Sequence, residues 1–97
     1  METTINAIHF DISQNLTDFI NRKIERLSRR NPNASSAEVN LKVVKPETAM
    51  NKEARISVRV PQESDIVATK VADTFEEAVD LALEAIERQL ERSKAKK

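Results

Sequence analysis

Arginine recurs along the segment NRKIERLSRR (21–30), where Arg22, Arg26 and Arg29 stand four and three residues apart. On a helix that spacing gathers the three guanidinium groups on one face, with Lys23 and Arg30 on its shoulder. Between residues 22 and 30 the one acid is Glu25. A second cluster closes the sequence: Arg88, Arg92, Lys94, Lys96 and Lys97 stand against a single acid, Glu91. Such groups pair with phosphate oxygens and release condensed counterions, so the chemistry they offer is salt-sensitive binding of a polyanion. Structured RNA fits that chemistry, because it is read largely through its shape and backbone. Charge placement alone leaves a plainer account open. Bases at a helix C-terminus are favoured by the helix dipole, by about 0.3–1 kcal/mol each, and solvated faces are normally charged.

No other set of residues points to chemistry. His9 is the one histidine, which rules out a histidine metal cluster or a histidine-dependent triad, and beside Phe10 it reads as a packed or rim residue. Glu76, Glu77, Asp80 and Glu84 read as the solvated first half of a helix, placed there by its dipole. Ser35 and Ser36 lack the flanking glycines of a nucleophile elbow. The chain contains no glycine at all, so it cannot build the close-approach loops that cradle nucleotide phosphates. It contains no cysteine, hence no disulfide, thiolate nucleophile or cysteine-held metal. With three phenylalanines and no Trp or Tyr, it also lacks a base-stacking platform. The expectation is a protein without catalysis, cofactor, metal or small-molecule substrate.

The elements that must position these cations follow from the apolar pattern. TTINAIHF (3–10) is rich in β-formers and predicts a strand. In the next segment Leu16, Phe19, Ile20, Ile24 and Leu27 recur at three- and four-residue steps, the mark of one helical face. Asp11 or Ser13 would cap its start, and Asn31 in a left-handed conformation would end it before Pro32. Three alternating segments come next. Residues 37–45 set Val39, Leu41 and Val43 against Asn40, Lys42 and Val44; residues 54–60 set Ile56, Val58 and Val60 against Arg55, Ser57 and Arg59. Residues 65–72 set Val67, Thr69 and Val71 against Ile66, Ala68 and Lys70. This period of two marks strands buried on one side. The links PETAMNKE (46–53) and PQES (61–64) suit antiparallel hairpins. An open sheet face would then carry Lys42, Arg55, Arg59 and Lys70, with no acid among those alternating positions.

Thr74 followed by Glu77 is a capping box, and it opens an amphipathic run with the stripe Phe75, Ala78, Val79, Ala82, Leu83, Ile86 and Leu90. The predicted order is β-α-β-β-β-α. It is an α+β fold in which two helices cover one face of a four-stranded sheet, a two-layer sandwich. The 97 residues make one domain, 1–97, with a basic tail from about residue 93. Lysine and arginine total 16 and so do aspartate and glutamate, so net neutrality conceals a separation of charge. No apolar run approaches the roughly 20 residues that span a bilayer, and the N-terminus lacks a secretory signal pattern. A cytoplasmic location is expected, with no membrane partner.

Two blocks of the chain resemble a known family. IHFDISQNLTDFINRKIERLSR (8–29) resembles the opening of the ribosome hibernation-promoting factors, also called ribosome-associated inhibitors or σ54-modulation proteins. There a strand ending in His leads into a helix of the form I-T…L…Y-V…K-L-E-R-L. Ile12-Ser13, Leu16, Phe19-Ile20 and Lys23-Ile24-Glu25-Arg26-Leu27 occupy those places. DTFEEAVDLALEAIERQLERSKAK (73–96) is similar to the family's ending D-M-Y-A-A-I-D…L-x-R-Q-L-x-K-x-K. Asp73, Phe75, Ala78, Val79, Asp80, Arg88, Gln89, Leu90, Arg92, Lys94 and Lys96 fall in register with it. The chain departs from the pattern at Ala85 and Glu91, where bases are common, and at Phe75, where the family usually has Tyr.

The resemblance implies that the β-α-β-β-β-α fold is related in outline to double-stranded RNA-binding domains. It implies binding to the small ribosomal subunit, on the phosphate backbone of 16S rRNA, in the channel that mRNA and the A- and P-site tRNAs occupy. It implies a steric plug that silences and protects idle ribosomes in starved or stationary cells. RNA contacts would come from Arg22, Lys23, Arg26, Arg29, Arg30, Arg88, Arg92, Lys94, Lys96 and Lys97. The sequence ends at Lys97 without the C-terminal domain of the long forms, which suggests the short class. The alternatives are a generic structured-RNA-binding module, or a protein-interaction domain using an exposed sheet face with Val44, Ile66 and Ala68.

Overall fold

The computed structural model describes residues 1–44 and 49–95, with side chains through Arg92. Its order is β1 (Glu2–Ile8), α1 (Gln14–Arg30), β2 (Ser36–Val43), β3 (Lys52–Arg59), β4 (Ile66–Ala72) and α2 (Phe75–Ala95), the β-α-β-β-β-α order expected. The strands lie in the order β1-β2-β3-β4. β1 and β2 are parallel, joined by the helical crossover that parallel neighbours require, and the other two pairings are antiparallel. Lys45 and residues 46–48 of the expected β2–β3 link lie outside the described residues.

Each helix begins where a side chain can take up its orphan amides. Ser13 rather than Asp11 caps α1: its backbone is extended and its Oγ accepts from the Leu16 amide at 3.1 Å. Replacing Ser13 with Ala is expected to cost about 0.5–2 kcal/mol, read as a lower urea midpoint at unchanged m-value. At α2 the Thr74 Oγ1 accepts from the Glu77 amide at 3.1 Å. The far end of α1 differs from expectation. Asn31 is not left-handed but sits at φ −134°, ψ 72°, because the Pro32 ring crowds a helical conformation in the residue before it. Instead its side-chain Nδ2 donates to the Leu27 carbonyl at 3.1 Å. β1 also stops earlier than expected, at Ile8, because His9 turns left-handed. With no glycine to use, the chain takes such bends, among the described residues, on His9, Met50 and Gln62, at φ 63°, 56° and 69°. Each costs about 1–2 kcal/mol of local strain.

The core is one layer between the helices and one sheet face. Leu16, Ile20, Ile24 and Leu27 of α1, and Ala78, Val79, Ala82, Leu83, Ile86 and Leu90 of α2, are buried against Val39, Leu41, Ile56 and Val58. Phe10 and Phe75 stack with ring centroids 4.9 Å apart, tying the β1–α1 link to the first turn of α2.

β4 corrects the expected alternation. Ala68 and Ala72 are buried and Ile66 packs against the core, whereas Val67 and Thr69 are exposed. The pattern is ambiguous because both parities of DIVATKVA carry apolar residues. Pairing with β3 decides it, setting Ala68 opposite Ile56 and Lys70 opposite Ala54. One position of slip moves every side chain to the other face. Small residues win the inner positions because α2 lies across β3 and β4, and alanines there let the helix approach closely. Lys70 therefore stands on the helix side of an edge strand rather than on the open face. Ile66 and Ala68 likewise do not contribute to an exposed interaction surface.

Candidate nucleic-acid interface

Lys23 of α1 meets Asp80 of α2 at 3.2 Å, and Arg30 meets Glu87 at 3.5 Å. Seven residues separate the two contacts on each helix, so α1 and α2 run parallel. The β-α-β-β-β-α order produces this, since each helix runs back against a strand of the same direction. Both C-terminal ends, and with them Arg29, Arg30, Arg88 and Arg92, therefore lie toward one end of the molecule, while Arg22 and Lys23 stand at the middle of α1. Because α1 ends opposite Glu87, the last eight described residues of α2 run on past it, by about 12 Å at 1.5 Å per residue. The domain measures 45 × 23 × 17 Å, elongated accordingly.

The cations within this surface are not equivalent. Arg29 pairs with Glu25 at 2.6 Å and Arg88 with Glu84 at 2.7 Å, each one turn away on its own helix. Lys23, half-buried, also lies 5.3 Å from the Phe19 ring centroid, a cation–π contact. Arg22, Arg26 and Arg92 are exposed, and among the described residues they have no ion-pair partner. Lys94 continues the helix, with its side chain outside the description, and Lys96 and Lys97 lie outside the described residues.

A feature missed from the sequence is a groove between the helices, in which Lys23, Arg26 and Arg30 face Asp80, Glu84 and Glu87. The acids of α2 are thus not simply a solvated half-helix. Asp80, Glu84 and Glu87 stand four and three apart, on the stripe that α2 turns toward α1. The spacing was legible, but the partner across the groove depended on knowing that the helices are parallel neighbours.

The open sheet face is charge-balanced rather than basic. Glu38 and Glu53 share it with Lys42, Arg55 and Arg59, because they lie at alternate positions on β2 and β3. Glu53 approaches Lys42 at 3.6 Å, and Asp65 approaches Arg59 at 4.0 Å. Across the middle runs a polar row, Asn6, Asn40, Arg55 and Thr69, in which Asn6 Nδ2 donates to Asn40 Oδ1 at 2.9 Å. With Lys70 on the other side, this face has no surplus of positive charge to match that at the helix ends.

Among the described residues no group of three or more His, Cys, Asp or Glu side chains could hold a metal, and no helix is long and apolar enough to cross a membrane. The fold is similar to that of a ribosomal subunit interface protein from Coxiella burnetii. That structure has 25% sequence identity and a TM-score of 0.86, over 98% of this chain and 99% of the other. The N-terminal domain of Protein Y from Thermus thermophilus shares the fold as well, at 22% identity and a TM-score of 0.78, over 95% and 98% of the two chains. No curated protein sequence matches. The sequence profile of one family, described as sigma 54 modulation protein / S30EA ribosomal protein, matches residues 3–97. With that match running from the first strand to the end of the sequence, the chain belongs to the sigma 54 modulation protein / S30EA ribosomal protein family, the one its two sequence blocks resemble.

Proposed function

We propose that this chain binds the small ribosomal subunit through the phosphates of 16S rRNA and acts as a steric inhibitor of translation. Bound in the channel of mRNA and the A- and P-site tRNAs, it would hold idle ribosomes silent and protected in starved or stationary cells. The observation that carries the reading is the convergence of two cationic helix ends at one pole of a domain of this family. Arg26 and Arg92 are exposed and, among the described residues, have no ion-pair partner. The Coxiella burnetii relative, a ribosomal subunit interface protein, supports the same assignment. The mechanism requires no bond to be made or broken. A rigid body of this shape occupies space that tRNA and mRNA need, and affinity comes from phosphate contacts around its basic pole.

Co-sedimentation with purified bacterial small subunits across a salt series tests this reading. The protein is expected to pellet at low salt and to be released as salt rises, with log affinity linear in log salt. A protein that stays in the supernatant at every salt concentration would overturn it. A generic RNA-binding module would instead bind an unrelated RNA duplex as tightly as the subunit.

A further inference from the structure

We infer that Asp80, Glu84 and Glu87 are specificity-determining residues that make the interhelical groove reject bulk duplex RNA. This rests on the reading that the chain binds RNA phosphates, and it assigns a role to the acids within that surface. Lys23 and Arg30 already hold carboxylates, at 3.2 and 3.5 Å, and Glu84 lines the same groove beside Arg26. A phosphate entering the groove must displace Asp80 from Lys23 or Glu87 from Arg30. It then faces the freed carboxylate at close range. The usual gain from counterion release is also reduced, since a phosphate held beside a carboxylate is not fully neutralised and keeps its condensed cation. An ordinary duplex, presenting phosphates on every side, meets this penalty in any orientation that fills the groove. A folded RNA site that contacts Arg92 beyond the groove, and Arg26 without displacing Asp80 or Glu87, avoids it. Such internal competition selects against a wrong partner by repulsion as well as for a right one by attraction. It also accounts for a net charge of zero in a chain whose proposed ligand is an anion.

The test compares wild type with Asp80→Asn/Glu87→Gln in binding to a short unrelated RNA duplex, read by fluorescence anisotropy over a salt series. Both substitutions keep side-chain shape and remove charge. A second pair, Glu38→Gln/Glu76→Gln, changes net charge equally but away from the groove, since Glu38 lies on the open sheet face and Glu76 in the first turn of α2. The groove variant is expected to bind the duplex about tenfold more tightly at low salt, with a log–log salt slope steeper by about 1–2. The control pair is expected to gain far less. An unchanged duplex affinity in the groove variant, or an equal gain in the control pair, would overturn the inference. Glu87→Gln alone, which leaves the Lys23–Asp80 and Arg88–Glu84 pairs intact, is expected to gain about threefold and keeps the test decisive if the double variant folds poorly. Small-subunit pelleting of wild type, run alongside, reads the ribosome assignment separately from the duplex result.

Discussion

Arg26→Glu/Arg92→Glu is expected to weaken binding to the small subunit about 100-fold at low salt, while far-UV circular dichroism and thermal midpoint stay near wild type. The two positions are chosen by structure rather than by charge density. Arg29 and Arg88 are equally basic in sequence, yet each is engaged by a glutamate one turn earlier on its own helix. Arg26 and Arg92 are exposed and carry no such partner, so removing them costs the fold almost nothing and the proposed surface two phosphate contacts. Arg26 lies on α1 and Arg92 beyond the end of α1 on α2, so the pair samples both halves of the basic pole. The salt dependence supplies a second readout: the log–log slope of the corresponding Arg26→Ala/Arg92→Ala protein should fall by about 2. Unchanged pelleting of the double reversal would remove this pole from the mechanism.

Ile56→Ala is expected to destabilise the domain by about 2–5 kcal/mol, seen as a urea midpoint lower by roughly 1–3 M. Ile56 is fully buried on the central strand β3, between Val39 of β2 and Ala68 of β4 in register. Truncation there leaves a cavity that neighbouring strands, pinned by their hydrogen bonds, cannot close. A domain of this size has about 5–15 kcal/mol in total, so this one change removes a large share of it. Val67→Ala makes the comparison informative. Its side chain stands on the open face, and the expected change is within about 0.5 kcal/mol. A large loss at Val67 and a small one at Ile56 would mean that β3 and β4 carry the opposite face inward.

Both effects show how much of the molecule could be read before it was folded. The helices were legible because their signals are local and redundant. Apolar residues recur at helical steps through Leu16–Leu27 and Phe75–Leu90, and the capping hydroxyls Ser13 and Thr74 stand where the first-turn amides need them. β2 and β3 were legible because only one parity of each is apolar. β4 was not, since Ile66 and Ala68 compete with Val67 and Val71 and only pairing with β3 decides between them. The left-handed end expected at Asn31 failed on a local effect, the crowding by Pro32.

Two helices with basic ends, a four-stranded sheet and family membership were therefore determined by the sequence itself, through periodicity, capping and motif register. What the tertiary structure decided is which charges meet. Parallel packing of α1 and α2 brought both C-termini to one pole, and it set Asp80 and Glu87 against Lys23 and Arg30 across a groove. The same folding placed Glu38 and Glu53 among the cations of the open face and moved Lys70 off it. Secondary structure follows from neighbours a few residues apart. Electrostatics between elements depends on separations of 57 residues, as between Lys23 and Asp80, and those are set only when the core chooses how its layers stack.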